Sequence, residues 1–141
     1  MNTQTAQTKE NALAKYLDED LDNISESSYD DCLFEVGSRE YLVLTDEEAD
    51  QRAADYIKDS LWAFNPSFLA SYCDLPKEMF KAVQDKCEGG NDAVLQCVER
   101  AEGGLDGFVE EAISADGRGH FLNTYDGNEN EEGDYFIYRV N

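Results

Sequence analysis

Basic residues are scarce in this chain. Its 141 residues include 11 Lys and Arg against 32 Asp and Glu, a formal net charge of −21. That balance excludes direct binding to DNA, RNA or an anionic membrane, each of which needs a basic footprint. It points instead to cationic partners: metal ions, basic peptides, or the basic grooves of nucleic-acid-binding proteins. Acidity of this kind also serves solubility alone. Histidine is scarcer still. His120 is the only one, so any Cys–His or Ser–His catalytic pair has to use it. It falls in a stretch read as a strand, alternating with Leu122 and Thr124, where a lone histidine is ordinarily structural. An enzyme using His120 with Asp116 or Asp126 is therefore the last of the functional readings.

Other absences narrow the chemistry. The four cysteines, Cys32, Cys73, Cys87 and Cys97, include no CxxC pair, so zinc is not expected. No GxxxxGK[ST] phosphate loop occurs, and "DGRGHF" is too short for a dinucleotide fingerprint. Carboxylate pairs for glycoside chemistry are too abundant to mark any one pair. No catalytic residue, cofactor or metal is assigned. No apolar run approaches the ~20 residues of a membrane span. The start, "MNTQTAQTKENALAKYL", lacks a basic n-region followed by an apolar h-region. The expected setting is the cytoplasm, with thiols reduced.

What is present is enough for a core: 41% of residues are hydrophobic and 11% aromatic, so the chain folds. A flexible N-terminus is expected over residues 1–8, then one α+β domain over 9–141. Leu13, Tyr16, Leu17 and Leu21 have helical spacing within residues 9–21, and the acidic "DNISESSYDD" reads as a loop. "CLFEVGSREYLVLT" reads as a β-hairpin turning at Gly37-Ser38. Its register sets Phe34 opposite Tyr41 and Leu33 opposite Leu42, but also Glu35 opposite Glu40, which is unfavourable. Thr45 with Glu48 forms a capping box before a strong helix. Ala49, Ala53, Ile57, Ser60, Leu61 and Phe64 share one stripe of that helix. Trp62 falls nearly opposite and is expected to pack on the next helix. Short helices follow, started at Asn65-Pro66 and Leu75-Pro76 and ended at Gly89-Gly90 and Gly103-Gly104. Strands are expected at Gly119–Tyr125 and Tyr135–Val140, joined by an acidic run. The architecture is thus antiparallel strands near residues 32–44 and 119–140 flanking a helical middle, with the two hairpins in one sheet.

The run "DGNENEEGDY" invites a calcium reading. Asp126, Asn128 and Asn130 match positions one, three and five of an EF-hand loop. Glu131 stands where glycine is required and Ile137 where the final glutamate belongs, so the motif fails. The remaining interest lies in carboxylate spacing. Extended backbone separates residues i and i+2 by about 6.6 Å, and a helix brings i and i+4 to about 5–6 Å. Both are comparable with phosphate spacing along a nucleic-acid strand. Candidate partner-binding residues are Asp46, Glu47, Asp50, Asp55 and Asp59 on the capped helix, and Asp106, Glu110 and Glu111 on the last helix. Asp126, Glu129, Glu131, Glu132 and Asp134 follow in the acidic run, with Trp62 as an aromatic contact. Each run alone reads as a solvated face; their recurrence carries the mimicry reading.

The stretches "LFEVGSREYLVLTDEEAD", "SLWAFNPSFL" and "GRGHFLNTYDG…YFIYR" resemble small acidic proteins encoded by bacteriophages and other mobile elements. The resemblance covers much of the chain from Leu33 onward. It implies an inhibitor of the anti-restriction or anti-CRISPR type, some of which occupy nucleic-acid channels as mimics. The implied partner is a basic nucleic-acid-binding protein, a defence nuclease or CRISPR effector. A homodimer would extend the acidic surface. The alternative is a phage accessory protein that binds through Trp62, Tyr125 and Tyr135 and is acidic only for solubility.

Overall fold

The structure, a computed structural model, describes residues 8–86 and 90–141. The rest of the expected flexible N-terminus and Cys87 lie outside the described residues; Thr8 itself is an N-cap. The fold is α+β. Its contacts group into two compact units, Met1–Arg52 with Arg118–Asn141, and Ala53–Gly117.

The first unit is built on a five-stranded antiparallel sheet, β1 (Ser25–Glu26), β2 (Leu33–Val36), β3 (Arg39–Thr45), β4 (Asn130–Glu132) and β5 (Tyr135–Arg139), ordered β1-β2-β3-β5-β4. Helix α1 (Lys9–Leu17) packs against it. The Thr8 hydroxyl accepts from the Asn11 N–H at 3.1 Å, one of the donors a helix start leaves unpaired. The helical pattern up to Leu21 breaks at Asp18, whose left-handed φ of 55° lets its N–H close on Ala14 and Lys15. Leu21 then sits in a short 3-10 turn and is exposed. "DNISESSYDD", read as a loop, contributes β1.

The β2–β3 hairpin has the expected register, Leu33 opposite Leu42, Phe34 opposite Tyr41 and Glu35 opposite Glu40. Gly37 supplies the positive φ of 64° that the turn demands. Period-2 alternation sends Phe34, Val36, Tyr41 and Val43 to one face, where they meet Leu13 of α1 and Ile137 of β5. The Glu35–Glu40 repulsion stays on the opposite face, where Glu35 is exposed.

One expected strand is a helix. Residues read as a strand at Gly119–Tyr125 form α7 (Arg118–Leu122) and a turn. Both neighbours of β5 are already taken, by β3 and by β4 from the acidic run. No sheet position beside β5 remains for residues 119–125. The buried Asn123 side chain organises the turn: Oδ1 accepts from the N–H groups of Tyr125 and Asp126 at 3.0 and 2.8 Å, and Nδ2 donates to the Asn128 carbonyl at 2.8 Å. The acidic run therefore does not merely join a hairpin. Asn130–Glu132 is one of the hairpin's strands, turning at Gly133-Asp134.

Helix α2 (Asp46–Asp59) begins on the expected capping box, with Thr45 N–H to Glu48 Oε1 at 2.9 Å and Glu48 N–H to Thr45 Oγ1 at 3.2 Å. Ala49, Ala53, Ile57 and Leu61 are buried, as the stripe requires. The second unit continues from Ala53 with α3 (Pro66–Cys73), α4 (Lys77–Lys86), α5 (Gly90–Arg100) and α6 (Gly104–Asp116). Asn65 caps α3 through the Ser67 N–H, with Pro66 in its first turn. Phe108 of α6 takes edge-on contacts from Phe64, Phe68 and Tyr72, at ring separations of 5.2, 5.4 and 5.2 Å. Gly107 permits this approach, because a Cβ there would lie 2.6 Å from the Tyr72 hydroxyl oxygen. That hydroxyl donates to the Gly104 carbonyl at 2.6 Å. Among the described residues, no helix is long and apolar enough to cross a membrane.

Candidate functional site

Three of the carboxylates singled out above, all in the sheet unit, converge on one cation. Arg118 Nη1 donates to Asp46 Oδ1 at 2.9 Å and Asp50 Oδ1 at 3.0 Å, and its Nε donates to Glu129 Oε1 at 2.8 Å. The same Nη1 reaches the Asp46 carbonyl at 3.0 Å, and the guanidinium lies 4.7 Å from the Phe136 ring centre. Asp46 and Asp50, one turn apart on α2, point the same way, and Gly119 lets the 127–129 backbone approach α7 closely. A Cβ at Gly119 would stand 2.8 Å from Glu129 N.

The Tyr138 hydroxyl donates to the same Glu129 oxygen. Burial raises the Tyr138 pKa, and the Glu129 carboxylate raises it further. Burial works against the Arg118 charge, but its bonds to Glu129 and Asp46 outweigh that and hold it firmly protonated. The expected alternation of Glu129 with Glu131 is thus divided. Both are exposed, but Glu129 pairs with Arg118, while among the described residues no ion pair reaches Glu131.

The other candidates differ in their surroundings. Glu47, Asp59, Asp106, Glu110, Glu111 and Asp134 are exposed. Asp55 is exposed and engaged within the protein. Glu132 is half-buried and pairs with Lys15 at 3.5 Å. Asp126 accepts the Asn128 N–H at 3.0 Å, a local turn bond in place of the calcium geometry considered above. Trp62 does not pack onto the next helix as expected; it is 58% exposed in a 3-10 turn, Leu61–Ala63. Its backbone N–H donates to Asn91 Oδ1 at 3.0 Å, and Asn91 Nδ2 donates to the Lys58 carbonyl at 2.9 Å. These bonds hold the turn without using the indole.

A second charged cluster escaped the residue-by-residue reading. Arg52 makes two bonds to Asp30, at 2.9 and 2.8 Å, and Lys9 Nζ reaches Glu48 at 2.8 Å and Cys32 Sγ at 3.1 Å. The Arg52 bonds hold the Asp30 carboxyl below its ordinary range, and the Cys32 N–H adds to this. At Glu48, burial is outweighed by Lys9 and Thr45, so its pKa also falls. Burial raises the Cys32 thiol, against the pull of Lys9. Asp30, Asp31 and Cys32 offer three ligand atoms within 4.8 Å of one another, but Arg52 and Lys9 already supply positive charge there. The available signal was the rarity of cations: in a chain this acidic, Lys9, Arg52 and Arg118 each sit against carboxylates.

His120 lies exposed on α7 against the Phe121 ring, at 5.0 Å, rather than in a strand. Cys32, Cys73 and Cys97 are free thiols. No family model, curated protein or solved structure matches the chain.

Proposed function

We propose that this chain is a non-enzymatic acidic inhibitor that occupies a basic nucleic-acid-binding surface of a host defence protein, a nuclease or CRISPR effector, in place of nucleic acid. One observation carries this reading. The six cations of the sheet unit are all engaged at home, by ion pairs of Lys9, Lys15, Arg39, Arg52 and Arg118 and by Arg139 over the Tyr125 ring at 3.6 Å. Glu47, Glu131 and Asp134 of that unit remain exposed, as do Asp59, Asp106, Glu110 and Glu111 of the helical unit. Such a surface steers a basic partner by long-range attraction, and salt weakens the association. The setting proposed is the cytoplasm of a bacterial host, and pairing of two copies would enlarge the acidic face.

The test is competition. The protein is mixed with a panel of purified defence nucleases and CRISPR effectors, and displacement of DNA or guide RNA is followed across ionic strength. Salt-sensitive displacement supports the reading; no displacement from any of them removes it. The 58% exposure of Trp62 favours a second reading, an interaction module anchored by aromatic side chains. Under that reading Trp62→Ala abolishes partner capture, and neutralising Glu131 and Asp134 leaves it unchanged.

A further inference from the structure

The helical unit carries an open groove of about 550 Å³, lined by Phe68 of α3 and by Glu110, Glu111, Ser114 and Ala115 of α6. Most of its lining is apolar, and its two carboxylates stand on the exposed side of α6. The Phe68 ring is braced edge-on by Phe108, so it offers a fixed face rather than a mobile side chain. Neither α3, "PSFLASYC", nor α6, "GLDGFVEEAISAD", contains a Lys or Arg. Among the described residues, no ion pair reaches Glu110 or Glu111. Asp106, one turn before Glu110, adds a third exposed carboxylate to the helix. The field of these groups is felt nearby: burial and then the charges of Glu111 and Glu110 raise the Tyr72 pKa. Two chemistries therefore meet in one open groove, an aromatic wall and a pair of carboxylates with no counter-ion among the described residues.

We infer that this groove receives an arginine side chain projecting from the surface of a protein partner. The guanidinium is planar and weakly hydrated, so it stacks on an aromatic face while donating sideways to carboxylates. An ammonium is a compact, strongly hydrated point charge and does not match the wall and the carboxylates together. The groove is too open to enclose a small molecule, but it suits one side chain carried by a larger body. The inference rests on reading the chain as a partner of basic proteins, and it names the contact through which the helical unit takes part.

Fluorescein-labelled hexa-arginine and hexa-lysine peptides are titrated with the full chain at about 0.15 M salt. The variants are Glu110→Gln/Glu111→Gln, Phe68→Leu, and a control of equal charge change at exposed residues outside the candidate surface, Glu26→Gln/Glu35→Gln. Circular dichroism melts establish that each is folded. The native chain is expected to prefer hexa-arginine, and the Glu110/Glu111 double change to weaken it about tenfold, the size of one well-placed interface contact. The control is expected to weaken it no more than about twofold, through screened charge alone. Phe68→Leu is expected to erase the preference for arginine over lysine. Equal losses in the two double variants, or no arginine preference in the native chain, overturn the inference. Should Phe68→Leu fail to fold, the two charge variants decide the matter. Groove binding without nuclease competition upholds the groove and removes the inhibitor reading; nuclease competition without groove binding does the reverse.

Discussion

The sheet unit and the helical unit carry charge of the same sign and manage it differently. Residues 1–52 and 118–141 hold 19 acidic and 6 basic side chains, a net −13, and residues 53–117 hold 13 and 5, a net −8, which together give the chain's −21. In the sheet unit five of the six cations pair with carboxylates. Arg118 holds three of them, Arg52 holds Asp30 and Lys9 holds Glu48. In the helical unit α6 has no cation of its own, and Asp106, Glu110 and Glu111 point to solvent. Strand residues and loops from distant parts of the chain converge on a sheet, so their charges need neutralising. A helix surface can leave its carboxylates apart in water, where repulsion is screened.

This contrast can be broken experimentally, most severely at the cores. Phe108→Ala removes the ring that Phe64, Phe68 and Tyr72 share, and is expected to cost about 3–5 kcal/mol. Amide hydrogen exchange should show the loss in α3 and α6; unchanged protection there would contradict the packing described. In the sheet unit, Arg118→Met leaves Asp46, Asp50 and Glu129 facing one another. Its side chain is 10% exposed while those of Asp46 and Asp50 are 70% and 62% exposed, so we expect about 2–3 kcal/mol rather than the full value of a buried pair. Part of it should return at high salt. A loss insensitive to salt would mean that packing on Phe136, not charge, is Arg118's role.

Acid provides a finer probe. Asp30 and Glu48 lie below their ordinary values of 3.8 and 4.5 in the folded protein, so the unfolded chain takes up these protons first. Their contribution is complete above those values and is lost as pH falls through the lower, folded ones. Asp30→Asn is therefore expected to cost about 1.5–3 kcal/mol at neutral pH, the range for hydrogen bonds to a charged group. The gap from the native chain should close as the pH falls. Urea melts at neutral and acid pH measure it; a gap independent of pH would refute the Asp30–Arg52 assignment. The smallest effect belongs to α6. Glu110→Gln/Glu111→Gln should leave stability within about 0.5 kcal/mol of native, as for other exposed sites. A larger loss in the same melts would show that these carboxylates are structural rather than available.

Much of the fold was legible where local signals agreed. Between residues 33 and 45 the alternation and Gly37 specify both strand and register, and Thr45 with Glu48 starts α2. Asn65-Pro66 likewise opens α3. Residues 119–125 were not legible. Five residues of alternation cannot be told from one helical turn, and the choice was made by β4 occupying the edge of β5. Trp62 sits opposite a helical stripe on paper, but α2 ends at Asp59 and a 3-10 turn carries the ring to solvent. The candidate surface was legible as composition and not as arrangement. Asp46, Asp50 and Glu129 read like Glu47 and Glu131 until Arg118 is found between them.

By itself the sequence determined the sign and scale of the charge, the α+β class, the first hairpin and the starts of the main helices. The charge is a sum over composition, and the hairpin and helix starts depend on residues within a few positions of one another. Only the tertiary structure decided which carboxylates pair with a cation. Arg118 lies 68 and 72 residues from its two partners on α2, and no local pattern encodes a meeting over that separation. The same holds for the groove that brings Phe68 of α3 beside Glu110 and Glu111 of α6, more than 40 residues on.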